Sequence, residues 1–163
     1  MNIPGINTQH SQRGITLLIS LIFLMVLALL GIWAVSNNSM QERMAGNARN
    51  RDLALAAAEA ALKHAESTLT TWRAGPFDGS VSGLLPYASA TANDLTYWRD
   101  ISHWSSYRQV PTGTLNQIAE QPRYILQQMP GVGSVEYYRV TARGVGGDAT
   151  SVVVLQSIVT YTP

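Results

Sequence analysis

The chain has 163 residues, with 11 Lys+Arg against 10 Asp+Glu, three His and no Cys. That length suits one domain of ordinary size, or a small domain with an appendage. A formal charge of +1 argues against an electrostatic nucleic-acid binder, which gathers a basic excess on one face. Zero cysteines exclude a disulfide framework, a thiolate zinc site, an iron–sulfur cluster and a cysteine nucleophile, and leave the redox compartment open. The charges are unevenly placed. Arg13 is the single charged residue of 1–14, none occurs in 15–35, and the rest of the chain carries ten basic and ten acidic groups.

Residues 15–35 read ITLLISLIFLMVLALLGIWAV, with only Thr16, Ser20 and Gly31 interrupting the apolar run. As a helix, the segment would span about 32 Å at a rise of about 1.5 Å per residue, close to the thickness of a bilayer core. It is apolar all round, so it is not an amphipathic helix lying on a soluble core. A chain this small could hardly wrap it completely. Three kinds of membrane segment fit. A secretory signal wants a shorter apolar region, although Ala34-Val35-Ser36 loosely offers a small-x-small cleavage site. A plain anchor fits the length, with Arg13 on one side and Arg43, Arg49 and Arg51 on the other leaving its orientation open. The third kind follows from the join, where a polar leader ends in Arg13-Gly14 and Ile15-Thr16-Leu17 begins the block directly.

That join, carried by Arg13, Gly14, Thr16 and Leu17, resembles the type IV prepilin signal. The resemblance implies a cut between Gly14 and Ile15 by a prepilin peptidase on the cytoplasmic face, and N-methylation of the new terminal residue, Ile15. Phenylalanine or methionine is more usual where Ile15 stands. Glycine lacks a Cβ, so its carbonyl can be approached closely by a catalytic group. In such proteins the apolar segment is kept as the first half of a long helix. The family's common glutamate is replaced here by Ile19. A carboxylate at that depth costs roughly 2.5–3.5 kcal/mol on insertion scales unless it finds a partner. In the pilins that this join resembles the partner is the terminal amine of the subunit above, so the resemblance implies a tip or initiator role for a chain with Ile19.

After the block, Ser36-Asn37-Asn38-Ser39 are poor helix formers, and Ser39 and Glu42 have capping-box spacing. Either a fresh helix starts there or one helix continues through a weakened segment. Residues 40–73 are helical by composition. Leu55, Ala58, Leu62, Ala65, Leu69 and Trp72 recur at steps of three and four, which predicts one apolar stripe packed on a sheet. Glu59 and Lys63 form an i,i+4 pair on another face. Gly75-Pro76 is the expected end of the helix. The run Glu42-Arg43-Met44-Ala45-Gly46-Asn47, then Arg49-Asn50-Arg51 and Ala57-Ala58-Glu59-Ala60-Ala61-Leu62, resembles the PilX family of type IV pilus assembly proteins.

From Pro76 the composition shifts to Gly, Ser, Pro, Thr and aromatics, and residues 76–121 read as a long irregular connection. Its densest feature runs from Tyr97-Trp98-Arg99-Asp100 to Tyr107. An aromatic cluster with an arginine can be a recognition surface, but in a thin domain the core or loop anchor comes first. Pro122–Met129, Val135–Arg143 and Thr150–Tyr161 read as strands of an antiparallel meander, with Gly131-Val132-Gly133 and Gly144 to Asp148 as turns. Neither glycine run opens a helix, so neither is a phosphate loop. Tyr138 to Gly144 and Val153 to Ser157 also resemble the PilX family's closing strands.

The histidines are His10, His64 and His103. Ser105, His103 and Asp100 are the right residue types for a nucleophilic site, and Asp94, Asp100 and His103 for a metal, but no spacing singles them out. No enzyme activity, cofactor, metal or direct nucleic-acid partner is expected.

The fold expected is α+β and pilin-like: a long N-terminal transmembrane and stem helix packed on a C-terminal antiparallel sheet of three to four strands. The parts would be a leader at 1–14, a transmembrane helix at 15–35, an amphipathic stem at 36–75, the irregular region at 76–121 and the sheet at 122–163. The resemblance implies a minor pilin that primes type IV pilus assembly in a tip complex, supporting twitching and adhesion. Its partners would be other minor pilins, the major pilin, a tip adhesin and prepilin peptidase. It would cross the inner membrane once, with a periplasmic head, before entering the pilus. The alternatives are a minor pseudopilin of a type II secretion system and a membrane-anchored periplasmic binding protein.

Overall fold

Leucine, isoleucine and alanine dominate residues 15–67 and proline is absent from them, so nothing interrupts a helical ladder. In the computed structural model, which describes residues 11–87, 94–113 and 115–163, helix α1 runs unbroken over Ser11–Ser67. The Ser36–Ser39 cluster does not stop it, and Ser39 caps no new helix. Arg13 and Gly14 fall inside its first turns, while residues 1–10 of the expected leader lie outside the described residues.

The chain divides into two units, Met1–Ala45 and Gly46–Pro163. In the first, the large apolar side chains from Ile15 to Trp33 are all exposed. No part of the most apolar stretch is buried, and the helix is long and apolar enough to cross a membrane.

The second unit is the head. Here α1 ends eight residues before Gly75. The Ser67 and Thr68 hydroxyls both donate to the His64 carbonyl, at 2.9 and 2.8 Å. Such back-bonding competes with the helical ladder. A single turn, α2 (Leu69–Trp72), follows, and the Trp72 indole reaches back to the Ala65 carbonyl at 2.7 Å. After it come β1 (Leu84–Leu85), α3 (Leu95–Arg99), a 3₁₀ turn (Ile101–His103), β2 (Arg108–Gln109), β3 (Arg123–Val132), β4 (Val135–Val145) and β5 (Val152–Tyr161).

The α+β class and the β3–β4–β5 antiparallel meander agree with the sequence reading. The sheet is larger than expected, with five strands in the order β1-β3-β4-β5 and β2 also on β3. It is mixed rather than purely antiparallel, because β1 pairs parallel to β3. Gly131 and Val132 belong to β3, and Gly144 and Val145 to β4, so these are not turn residues.

The expected helix stripe holds at Ala58, Ala65 and Trp72, which are buried, and at Leu62 and Leu69, which pack against the core, but not at Leu55. Leu55 stays 39% exposed, while Ala54, Ala57, Ala58, Ala61 and Ala65 are fully buried. The cause lies on β4. A Cβ on Gly144 would collide with the Ala54 carbonyl oxygen and the Ala58 amide nitrogen, so the strand backbone rests directly on the helix backbone. Alanine and glycine permit that approach, and leucine would prop the two apart.

Alternation along the strands fills both faces of the sheet. Tyr124, Leu126, Tyr138, Val140 and Ala142 join Ala61, Ala65 and Trp72 in the core under the helix. Ile125 points the other way, into a second core with Trp98 and Trp104. The aromatic segment is therefore an anchor: it covers the outer face of the sheet, and the Trp104 indole donates to the Trp98 carbonyl at 2.7 Å.

Candidate functional site

The site residues expected from the sequence lie at the start of the N-terminal stem. Gly14 and Ile15 sit at the start of α1, Ile15 being 60% and Ile19 52% exposed; the side chain of Arg13 lies outside the described ones. A Cβ on Gly14 would meet no atom within 4 Å. Packing within this chain therefore places no demand for glycine at that position. The Ser20 hydroxyl donates to the Leu17 carbonyl at 2.9 Å. An apolar medium requires such internal pairing of polar groups. No charged residue occurs in 15–35, so nothing at Ile19 or around it offers a carboxylate to a neighbouring amine.

In the head, the residue types that suggested chemistry are engaged in structure. Asp94 and Asp100 accept from the backbone amides of Thr96 and Ser102, at 2.8 and 2.9 Å, and so cap α3 and the 3₁₀ turn. The Ser102 amide holds the Asp100 carboxyl below its usual range. His103 stacks on Tyr97, with ring centroids 3.6 Å apart, and its Nδ1 lies 2.8 Å from the Tyr97 carbonyl. His103 and Asp100 are thus not joined into a nucleophilic relay. Nor do Asp94, Asp100 and His103 form a ligand set: among the described residues no three His, Asp or Glu converge where a metal could sit. His64 Nδ1 lies 3.2 Å from the Tyr124 hydroxyl, and His10 lies outside the described residues.

Two polar clusters that the sequence did not disclose tie the head together. In the first, the Arg73 guanidinium and the Tyr138 hydroxyl both donate to Glu136 Oε2, at 3.1 and 2.6 Å. Arg73 also lies over the Tyr161 ring, 3.9 Å from its centroid. The Tyr138 hydroxyl first, and then Arg73, hold the Glu136 carboxyl below its usual range. Burial first, and then the Glu136 carboxylate, push Tyr138 up to about 12. The carboxylate bond raises Arg73 in turn. This cluster fastens the last residues of β5 to the end of α2 without a disulfide. In the second, Glu120 accepts from Arg123 and Arg143, at 3.1 and 3.2 Å. Contacts spanning 63 residues, such as Arg73 to Glu136, leave no local signal.

Most polar groups described in the head thus hold its shape, while the large apolar side chains of the stem are uncovered. Comparison with known families agrees. The family described as PilX N-terminal matches residues 13–63, and that described as type IV pilus assembly protein PilX C-term matches residues 43–161. No curated protein and no solved structure matches the chain. The two matches overlap and cover the stem and the head. They support the role of a type IV pilus minor pilin, held to a membrane by the apolar helix and associated with other pilus components. This chain belongs to the PilX family of type IV pilus assembly proteins.

Proposed function

We propose that this chain primes pilus assembly from the filament tip. The 15–35 segment inserts once in the inner membrane, with the head in the periplasm. Prepilin peptidase cuts between Gly14 and Ile15, Ile15 is N-methylated, and the subunit joins sibling minor pilins in a complex on which the major pilin polymerises. Arg13 marks the leader side of the cut and leaves with it.

The observation that carries this reading is the exposure of the stem. Its large apolar side chains from Ile15 to Trp33 are uncovered on every side. Covering each is worth about 1.5 kcal/mol or more, which forbids a stem left in water. A bilayer and then a filament core are the two surroundings that supply such cover. Lipid tails are themselves apolar, so transfer between the two is driven by packing rather than by escape from water. Ile19 sets the position: without a carboxylate it has no claim on the amine of a subunit above, which suits the first subunit in place. Contact with a tip adhesin, and support of twitching and adhesion, follow from that position.

Deleting the chromosomal copy and counting sheared surface filaments tests priming. The proposal expects filaments to fall sharply and to return with the full-length chain supplied in trans. Unchanged piliation contradicts it, and a defect confined to enzyme export favours a type II secretion pseudopilin.

A further inference from the structure

The arginines of Gly46–Pro163 are nearly all engaged. Arg73 pairs with Glu136, while Arg123 and Arg143 pair with Glu120. Arg49 donates to Gln117 and Arg108 to the Ser82 carbonyl. Arg139 is buried beneath the Tyr87 ring. Among the described residues this leaves Arg51 and Arg99 with no ion pair, side-chain hydrogen bond or ring contact. Both are exposed, and both line one cleft of about 280 Å³.

Arg51 comes from α1 and Arg99 from the end of α3, so the fold brings together guanidinium groups 48 positions apart in sequence. Asn47, Thr150 and Ser151 add hydrogen-bonding groups to the cleft, Val152 gives it an apolar wall, and no carboxylate lines it. Two like charges facing one space without a counter-charge repel each other in the isolated chain. An anion between them removes the repulsion and satisfies both forks.

We propose that Arg51 and Arg99 form a receiving cleft for an Asp or Glu side chain of a neighbouring pilus subunit. The apolar wall beside the charges fits a carboxylate carried on a short aliphatic stem. Lipid phosphate has the same charge chemistry, but Asn47 lies twelve residues beyond the end of the apolar block at Val35, away from the segment that lipid would surround. A second copy of this chain remains an outcome of the test. The inference rests on the pilin reading above, which places such subunits alongside.

The test uses the full-length chain in piliated cells lacking the native copy, with Thr150 replaced by photoreactive benzoylphenylalanine. Irradiation and mass spectrometry identify the captured peptide. The expected adduct is with a peptide of another pilus subunit that contains Asp or Glu. Its yield should fall at least about tenfold when Arg51→Glu and Arg99→Glu are combined, as for a lost charge-assisted contact. It should recover when the captured acid is changed to Arg. Thermal melting checks that the double variant folds; should it not, Arg51→Gln with Arg99→Gln takes its place, with the same fall in yield expected and no recovery when the captured acid is changed to Arg. An adduct indifferent to these changes, a captured peptide without an acid, a copy of this same chain, or phospholipid alone overturns the proposal. A chain missing from sheared filaments contradicts the pilin reading instead. A chain present in filaments but giving no adduct overturns the cleft alone.

Discussion

Gly144→Ala tests whether helix and sheet meet backbone to backbone. The added methyl would land on the Ala54 carbonyl oxygen and the Ala58 amide nitrogen, with the Ala57 carbonyl carbon 3.0 Å away. Side chains can rotate from an intruder, but these are backbone atoms of a rigid helix. β4 and α1 must therefore separate, and a gap on the order of 1 Å forfeits roughly a quarter to a half of each contact's attraction. The cost should lie at the top of the overpacking range, about 3 kcal/mol. For a head of this size that lowers the melting temperature by about 12 °C. Gly46→Ala on the same helix is the control. Its Cβ would meet nothing within 4 Å, so the change should stabilise the helix by about 1 kcal/mol. Both variants are measured in the full chain in detergent, by near-ultraviolet circular dichroism of the buried tryptophans. Refutation is a Gly144→Ala protein that melts with, or above, the unsubstituted chain.

Other expectations follow from the second core and the polar clusters. Trp104→Ala, which empties a buried site on the outer face, should cost about 3–5 kcal/mol by chemical denaturation. Because the Glu136 carboxyl is held low, its contribution is present above the unfolded carboxylate range and is lost as pH falls through its folded value. Glu136→Gln should therefore flatten the acid limb of a stability–pH curve. Tyr138 has the opposite sign: raised from 10.0 to about 12, it leaves stability intact below pH 10 and erodes it from there to about 12. Tyr138→Phe should remove that alkaline decline. Arg73→Ala should release the end of β5, read as faster amide exchange at Val159–Tyr161 with slower change at Val152–Val154.

The membrane segment was legible because it depends on one local quantity, the absence of charge from Ile15 to Val35. The three long strands were legible by alternation. The helix stripe was legible at Ala58, Leu62, Ala65, Leu69 and Trp72 and failed at Leu55, where the close approach of Gly144, some ninety positions away, turns the neighbouring alanines to the sheet instead. β1 and β2 have two residues each, too few to show a period. The tryptophans were correctly taken as anchors, yet what they anchor against, Ile125, is fixed by register. For the stem, the same sequence that revealed the segment also revealed the gap at Ile19. The contacts that close the polar clusters, Arg73 to Glu136 and Arg143 to Glu120, join residues 63 and 23 positions apart, and no local pattern announces them.

The most direct measurement of the central claim is the mass of the mature N-terminus, taken from cells with and without prepilin peptidase. The account predicts a chain beginning at N-methylated Ile15 when the peptidase is present, and one retaining the residues before Gly14 when it is absent. A chain starting at Asn37 would mean release of the head by an ordinary secretory signal. An N-terminus retaining Met1 in both strains would leave a plain anchor, and either result contradicts the account.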